Sequence, residues 1–253
     1  MKNLAKKIAT GFLAVTVITT GLTANISTVK AFGLGDITGA IFGGGGSSGS
    51  SAVNVDGLTK QHDNLISNLA ISTALMNAAF QNCQYATGET IENRHLIITE
   101  TVTKSVVKTD LAEATKMKDA ANKAKKDKTA DTIKKNLDAA LSSGDEAKLK
   151  EIDDYIKAAN EQRLLSDALG AVALVQAGII IKETAQGGLS LANVTNIVKF
   201  ANTAKQVESL LKTRNQFSKM LSEATAVYKQ NRGIKDPTKA EIDKTAKTME
   251  AND

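Results

Sequence analysis

Glu92 and His95 stand three residues apart, the spacing that sets a carboxylate and an imidazole on one face of a helix. Di-iron carboxylate bundles hold metal with that pair, but they need two such pairs and two further glutamates. The only other histidine in this chain is His62, and Thr59 stands where its matching glutamate would have to be. The set that remains is His62, Glu92 and His95, which meets only if the first two helices pack antiparallel. So incomplete a set makes these three weak metal candidates, and no metal or other cofactor is expected.

Nucleophilic chemistry has less to work with. Cys83 is the single cysteine, so no internal disulfide can form. Its neighbours Asn82, Gln84 and Tyr85 are uncharged, and nothing beside it would favour a thiolate. The chain has no Gly-x-Ser-x-Gly elbow, and its glycine run Gly43–Gly46 is not followed by the Gly-Lys-Ser/Thr of a phosphate loop. The acids Asp145, Glu146, Glu151, Asp153 and Asp154 follow a helical spacing rather than that of a calcium loop, and read as a solvated face. No catalytic residue is expected.

Two stretches could make contacts instead. Lys116 to Lys135 carries eight lysines against three aspartates, a balance suited to an anionic surface. Ala168 to Ile181 (ALGAVALVQAGIII) has one polar side chain, Gln176. Fourteen residues fall short of the twenty or so that span a bilayer. The segment is nonetheless more apolar around its circumference than a surface helix. Leu169, Val172, Leu174, Ile179, Ile180 and Ile181 are therefore the candidate membrane or partner contacts, against the alternative that they fill the centre of a bundle. In outline this is similar to exported helical pore-forming toxins; the likeness is architectural, with no motif behind it.

The elements that must position these residues are helices. One proline in the whole chain, no tryptophan and abundant alanine, lysine and leucine favour long helical runs. From Asp56 to Ala86, His62, Leu65, Leu69, Ser72, Met76, Phe80 and Cys83 recur at three and four, with Thr87-Gly88 as a stop. A second helix is expected from Thr90 to about Lys128. Its stretch 96–107 is rich in β-branched residues, so a two-stranded excursion is the alternative. Further helices are expected at Thr129–Leu141, Glu146–Thr184 and Ser190–Asn231, with turns at Ser142–Asp145 and Gly187-Gly188. The stripe of the fourth takes in Leu149, Ile152, Ile156, Ala159, Leu165, Leu169, Val172 and Ile179. Helices of about forty residues reach about 60 Å. The expected fold is all-α: an elongated antiparallel helical bundle with a long coiled-coil-like hairpin.

Residues 1–31 read as an export leader. Three lysines in the first seven residues precede the uncharged Ile8–Leu22 and a small-residue site ending at Ala31. Residues 32–55 read as a disordered, flexible Gly/Ser-rich linker, 56–232 as the bundle and 233–253 as a polar tail with room for a short helix. The leader holds four lysines and no acid, which leaves 28 basic against 27 acidic side chains. Such a balance gives no reason to expect nucleic-acid binding. The expectation is an exported, non-enzymatic bundle, periplasmic or at the cell surface of a bacterium. Its expected partner is an envelope or extracellular protein, a second copy of the chain, or a membrane surface. The alternatives are a membrane-active protein inserting the hairpin around 168–194, and an envelope metal-binding protein.

Overall fold

The computed structural model describes residues 55–89, 111–186 and 194–250. Among the described residues there are six helices and no strand: α1 (Val55–Ala86), α2 (Leu111–Lys126), α3 (Thr129–Ser143), α4 (Glu146–Gln186), α5 (Val194–Arg232) and α6 (Lys239–Glu250). The chain is an all-α helical bundle. The leader, the Gly/Ser-rich stretch, the helix-or-strand segment 96–107, Glu92, His95 and the Gly187-Gly188 turn lie outside the described residues.

Local chemistry sets the helix ends. Gly88 (φ 84°) and Gly233 (φ 67°) take the left-handed conformation just past α1 and α5, where a side chain would be strained. There Glu89 and Ile234 donate their N–H groups back to the carbonyls of Gln84 and Lys229. Gly144 (φ 64°) closes α3, and the Asp145 carboxylate then accepts from the N–H groups of Ala147 (3.1 Å) and Lys148 (3.2 Å) to open α4. Thr238 and Glu241 form a reciprocal capping box at the start of α6, with bonds of 2.7 and 3.3 Å. Its hydrogen bond to Thr238 holds the Glu241 carboxyl below its ordinary pKa.

The described residues divide into two compact units. The smaller comprises 55–68, 171–186 and 194–209. Within it His62, Leu65, Val172, Ala173, Ile180 and Val207 are buried, and Asn68 donates to Gln176 at 3.1 Å.

The larger unit comprises 69–89, 111–170 and 210–250. Its core is built on Phe80, Ile133, Leu137, Ile156, Phe217 and Leu221, all at 1% exposure or less. Each such side chain contributes about 1.5–3 kcal/mol by leaving water. The rings of Phe80 and Phe217 pack tilted at 5.8 Å, and Tyr85 meets Tyr155 edge-on at 5.1 Å. In this unit α5 runs antiparallel to α4, since Arg214 meets Asp167 and, further along α5, Arg232 meets Asp153 and Glu146. By the same test α1 runs parallel to α5, with Ser72 beside Arg214 and Phe80 beside Phe217.

The stripe expected on α1 forms its buried face wherever its side chains are described, and the buried faces of α3 and α5 run through Ile133 and Leu137 and through Val207, Leu211, Phe217, Leu221 and Tyr228. Three assignments on α4 are corrected. Leu165, placed on the inward stripe, is only partly buried. Ile179, placed on the inward stripe, is 41% exposed, because the buried line there runs through Ala173, Ala177 and Ile180. Asp153, placed on a solvated acidic face, is turned inward to Tyr228 and Arg232.

Lys128 (φ 52°, ψ 39°) joins α2 to α3 in the left-handed region, the one non-glycine residue with positive φ among those described. A side chain there costs about 1–2 kcal/mol, of which glycine returns part through its freer unfolded chain. Lys128→Gly is expected to raise stability by about 0.5 kcal/mol, read as a higher urea midpoint at unchanged slope. A loss of stability would show that the Lys128 side chain makes a stabilising contact worth more than its backbone strain.

Candidate functional site

The sequence candidates for metal binding are not brought together among the described residues. His62, on α1, is 6% exposed, and its Nδ1 lies 2.9 Å from the Asp63 carboxylate. Glu92 and His95 lie outside the description. No group of three or more histidine, cysteine, aspartate or glutamate side chains able to hold a metal occurs among the described residues. Cys83 is a free, fully buried thiol. Burial pushes its pKa up to about 12, against a smaller opposing pull from the Lys229 charge. A thiol so placed stays protonated at neutral pH and is a poor nucleophile.

The polar chemistry of the larger unit lies elsewhere, in a node whose members come from three helices. Ser72 on α1 and Ser166 on α4 face each other, and each hydroxyl donates to the other's backbone carbonyl at 2.7 Å. With both protons so used, the two oxygens have only lone pairs left to offer. Arg214 on α5 takes them: its Nε donates to Ser72 Oγ at 2.8 Å and lies 3.1 Å from Ser166 Oγ. Its terminal amino group pairs with Asp167, one residue on from Ser166. Gly170, one helical turn further along α4, leaves room for the guanidinium; a Cβ there would stand 3.4 Å from Cζ. Three helices are thus fixed at one point by one buried cation, itself 5% exposed.

A second polar line runs toward the end of α5. Lys229 Nζ donates to Asn160 Oδ1 at 2.6 Å and to Asp236 Oδ1 at 2.7 Å, and Asn160 donates to the Lys235 carbonyl at 2.9 Å. Arg163 reaches Asp236 at 3.2 Å and Asp167 at 3.6 Å, which links this line to the Arg214 node. Burial disfavours the charged form of Asp236. The bond and charge of Lys229, with Arg163, outweigh it and hold the carboxyl below its ordinary value of 3.8. The Tyr228 hydroxyl lies 2.9 Å from Asp153 and 3.0 Å from the Leu149 carbonyl. Burial, then that hydrogen bond, push its pKa well up.

The six contact candidates divide among themselves. Leu169 is buried in the larger unit. In the smaller unit Val172 and Ile180 are buried, Leu174 is partly buried and Ile179 is exposed; the side chain of Ile181 lies outside the description. The stretch Glu146–Ile180 of α4 contains an eighteen-residue window long and apolar enough, by length and composition, to cross a membrane, and 44% of that window is buried. No family profile, curated protein or solved structure matches this chain.

The Arg214 node makes a direct prediction. Arg214→Ala leaves two serine oxygens without their donor and leaves Asp167 only the longer contact to Arg163 at 3.6 Å, and is expected to cost about 3 kcal/mol in urea unfolding. Arg214→Ala with Asp167→Ala is expected to cost less than the sum of the two single changes, because each single change already breaks the one close ion pair. Strictly additive losses would mean that the pair is not coupled.

Proposed function

We propose that this protein is an exported, non-enzymatic helical bundle that acts by contact with an envelope or extracellular protein, or with the envelope itself. The observation that carries this reading is how its charged and nucleophilic groups are used. Arg214 with Asp167, Lys229 with Asp236 and Arg232 with Asp153 each join one segment of the larger unit to another, and the one thiol is buried and protonated. Chemistry spent on joining helices suits a molecule that presents surfaces rather than one that turns over a substrate. The leader at residues 1–31 supports export.

The test is fractionation of the native host with intact-mass measurement. The expected product lies outside the cytosol and begins at Phe32. A full-length chain recovered from the cytosol would reject the proposal.

A membrane-active reading is favoured by one observation: Ile179 stands 41% exposed in a run where Gln176 is the only polar side chain. On this reading the chain from Phe32 onward releases dye trapped in liposomes. Ile179→Asp abolishes release while leaving the soluble fold intact, since the position already meets water. Ile180 is unsuited to that test, because at 5% exposure an aspartate there would disturb the soluble form. Unchanged leakage by Ile179→Asp, with circular dichroism matching the parent, would exclude insertion through this segment.

A further inference from the structure

We propose that the outer surface of the α2–α3 pair binds the anionic face of a phospholipid bilayer. This deepens the contact reading above, and rests on it, by naming the chemistry of the partner. All eight lysines between Lys116 and Lys135 are exposed. Lys134 is paired with Asp138 at 2.7 Å; the other seven make no ion pair among the described residues. Against them stand Asp119, Asp127 and Asp131, so residues 116–135 carry a net charge of +5, and the pair from Leu111 to Ser143, with Glu113 and Asp138 counted, carries +3. Residues 32–253 total only +1, so the rest of that span is net negative and the positive charge is gathered here.

Among the described residues, nothing packs over these lysines. Met117 and Ala121 of α2, with Ile133, Leu137 and Ala140 of α3, face the core of the larger unit, and α2 and α3 lie against each other. Gln216 of α5 donates to the Ala121 carbonyl at 2.7 Å, which fixes α2 by its inner side. The lysines take eight of the exposed positions and share the rest with Ala120, Asn122, Thr132 and the three aspartates. Their stems are long and flexible, and their ammonium groups stay hydrated, which suits a diffuse layer of phosphate headgroups better than a shaped pocket. No aromatic or large apolar side chain stands among Lys116–Lys135 on the exposed side, so attachment is electrostatic and superficial. The attraction falls off within about 10 Å at 0.1 M salt.

Each lysine near an anionic bilayer strengthens partitioning about five-fold. The experiment is flotation of the chain from Phe32 onward with vesicles of phosphatidylcholine alone, or of phosphatidylcholine with phosphatidylglycerol, at low and at raised salt. Binding to the anionic vesicles only, lost as salt rises, is expected. Lys118→Gln/Lys125→Gln/Lys135→Gln keeps good helix formers at exposed positions and is expected to weaken binding about a hundred-fold with an unchanged circular dichroism spectrum. Lys150→Gln/Lys244→Gln/Lys247→Gln removes the same charge from exposed positions on α4 and α6, and is expected to weaken binding less than about ten-fold.

Equal loss in the two triple variants would reduce the effect to net charge and overturn the assignment to this surface. No flotation with anionic vesicles, or capture by soluble polyphosphate without flotation, would overturn the lipid assignment. A protein exported and processed at Ala31 that fails to float sinks this inference and leaves the contact reading standing. A chain retained whole in the cytosol sinks that reading whatever the vesicles show.

Discussion

A guanidinium taken out of water costs several kcal/mol unless its donors are met, and in the larger unit that requirement governs how three helices come together. Arg214 can be buried only where two serine oxygens and a carboxylate converge. They converge only if α1 and α4 approach closely enough for Ser72 and Ser166 to exchange hydroxyl bonds with each other's backbone. A close approach needs small side chains, and serine, serine and glycine supply them at positions 72, 166 and 170. The node therefore works as a register pin. A hydrophobic stripe alone tolerates sliding by a heptad, because one leucine packs much like the next. A cation with a fixed fork of donors does not tolerate it.

The second polar line extends the same logic to the end of α5. Lys229, Asn160, Asp236 and Arg163 tie the segment after Gly233 back onto α4, and Tyr228 and Arg232 share Asp153. Between the two lines the packing on α5 is mostly apolar, with Phe217, Leu221 and Ala224 buried, and Asn82 on α1 donates to Gln162 on α4 at 2.8 Å. Apolar burial supplies most of the stabilisation, while the polar groups at either end select one arrangement from the many that burial would accept.

The helices were legible because their signals are local. The spacing of Leu69, Met76, Phe80 and Cys83, the stop at Gly88 and the turn at Gly144-Asp145 each act within a few residues, and each stands where spacing and turn chemistry put it. The Arg214 node was not legible in the same way, because its members lie on three helices and 142 residues separate Ser72 from Arg214. A trace of it was present. The α5 stripe runs Val207, Leu211, then Phe217 and Leu221, and the place between Leu211 and Phe217 that a leucine would fill holds Arg214. A charged residue on an apolar stripe signals either a misplaced stripe or a buried ion pair, and Ser166 and Gly170 on α4 supply the small side chains the second case requires. Ile179 shows the opposite limit: on a helix apolar around most of its circumference, spacing does not say which side faces inward.

Stability and surface chemistry thus fall on different residues of the larger unit. Met117, Ala121, Ile133 and Leu137 anchor α2 and α3 from the inside, so the identity of the outward residues is released from folding. A folding requirement alone would be met by any mixture of lysine, glutamate and glutamine at those positions, since all are comparable helix formers. The chain instead places eight lysines against three aspartates there while the rest of residues 32–253 is net negative. Like charges this dense repel one another and cost stability at low salt, so packing gives no reason to gather them. An external anionic surface does, because the repulsion that opposes the folded chain in solution becomes attraction when the counter-charge lies outside it.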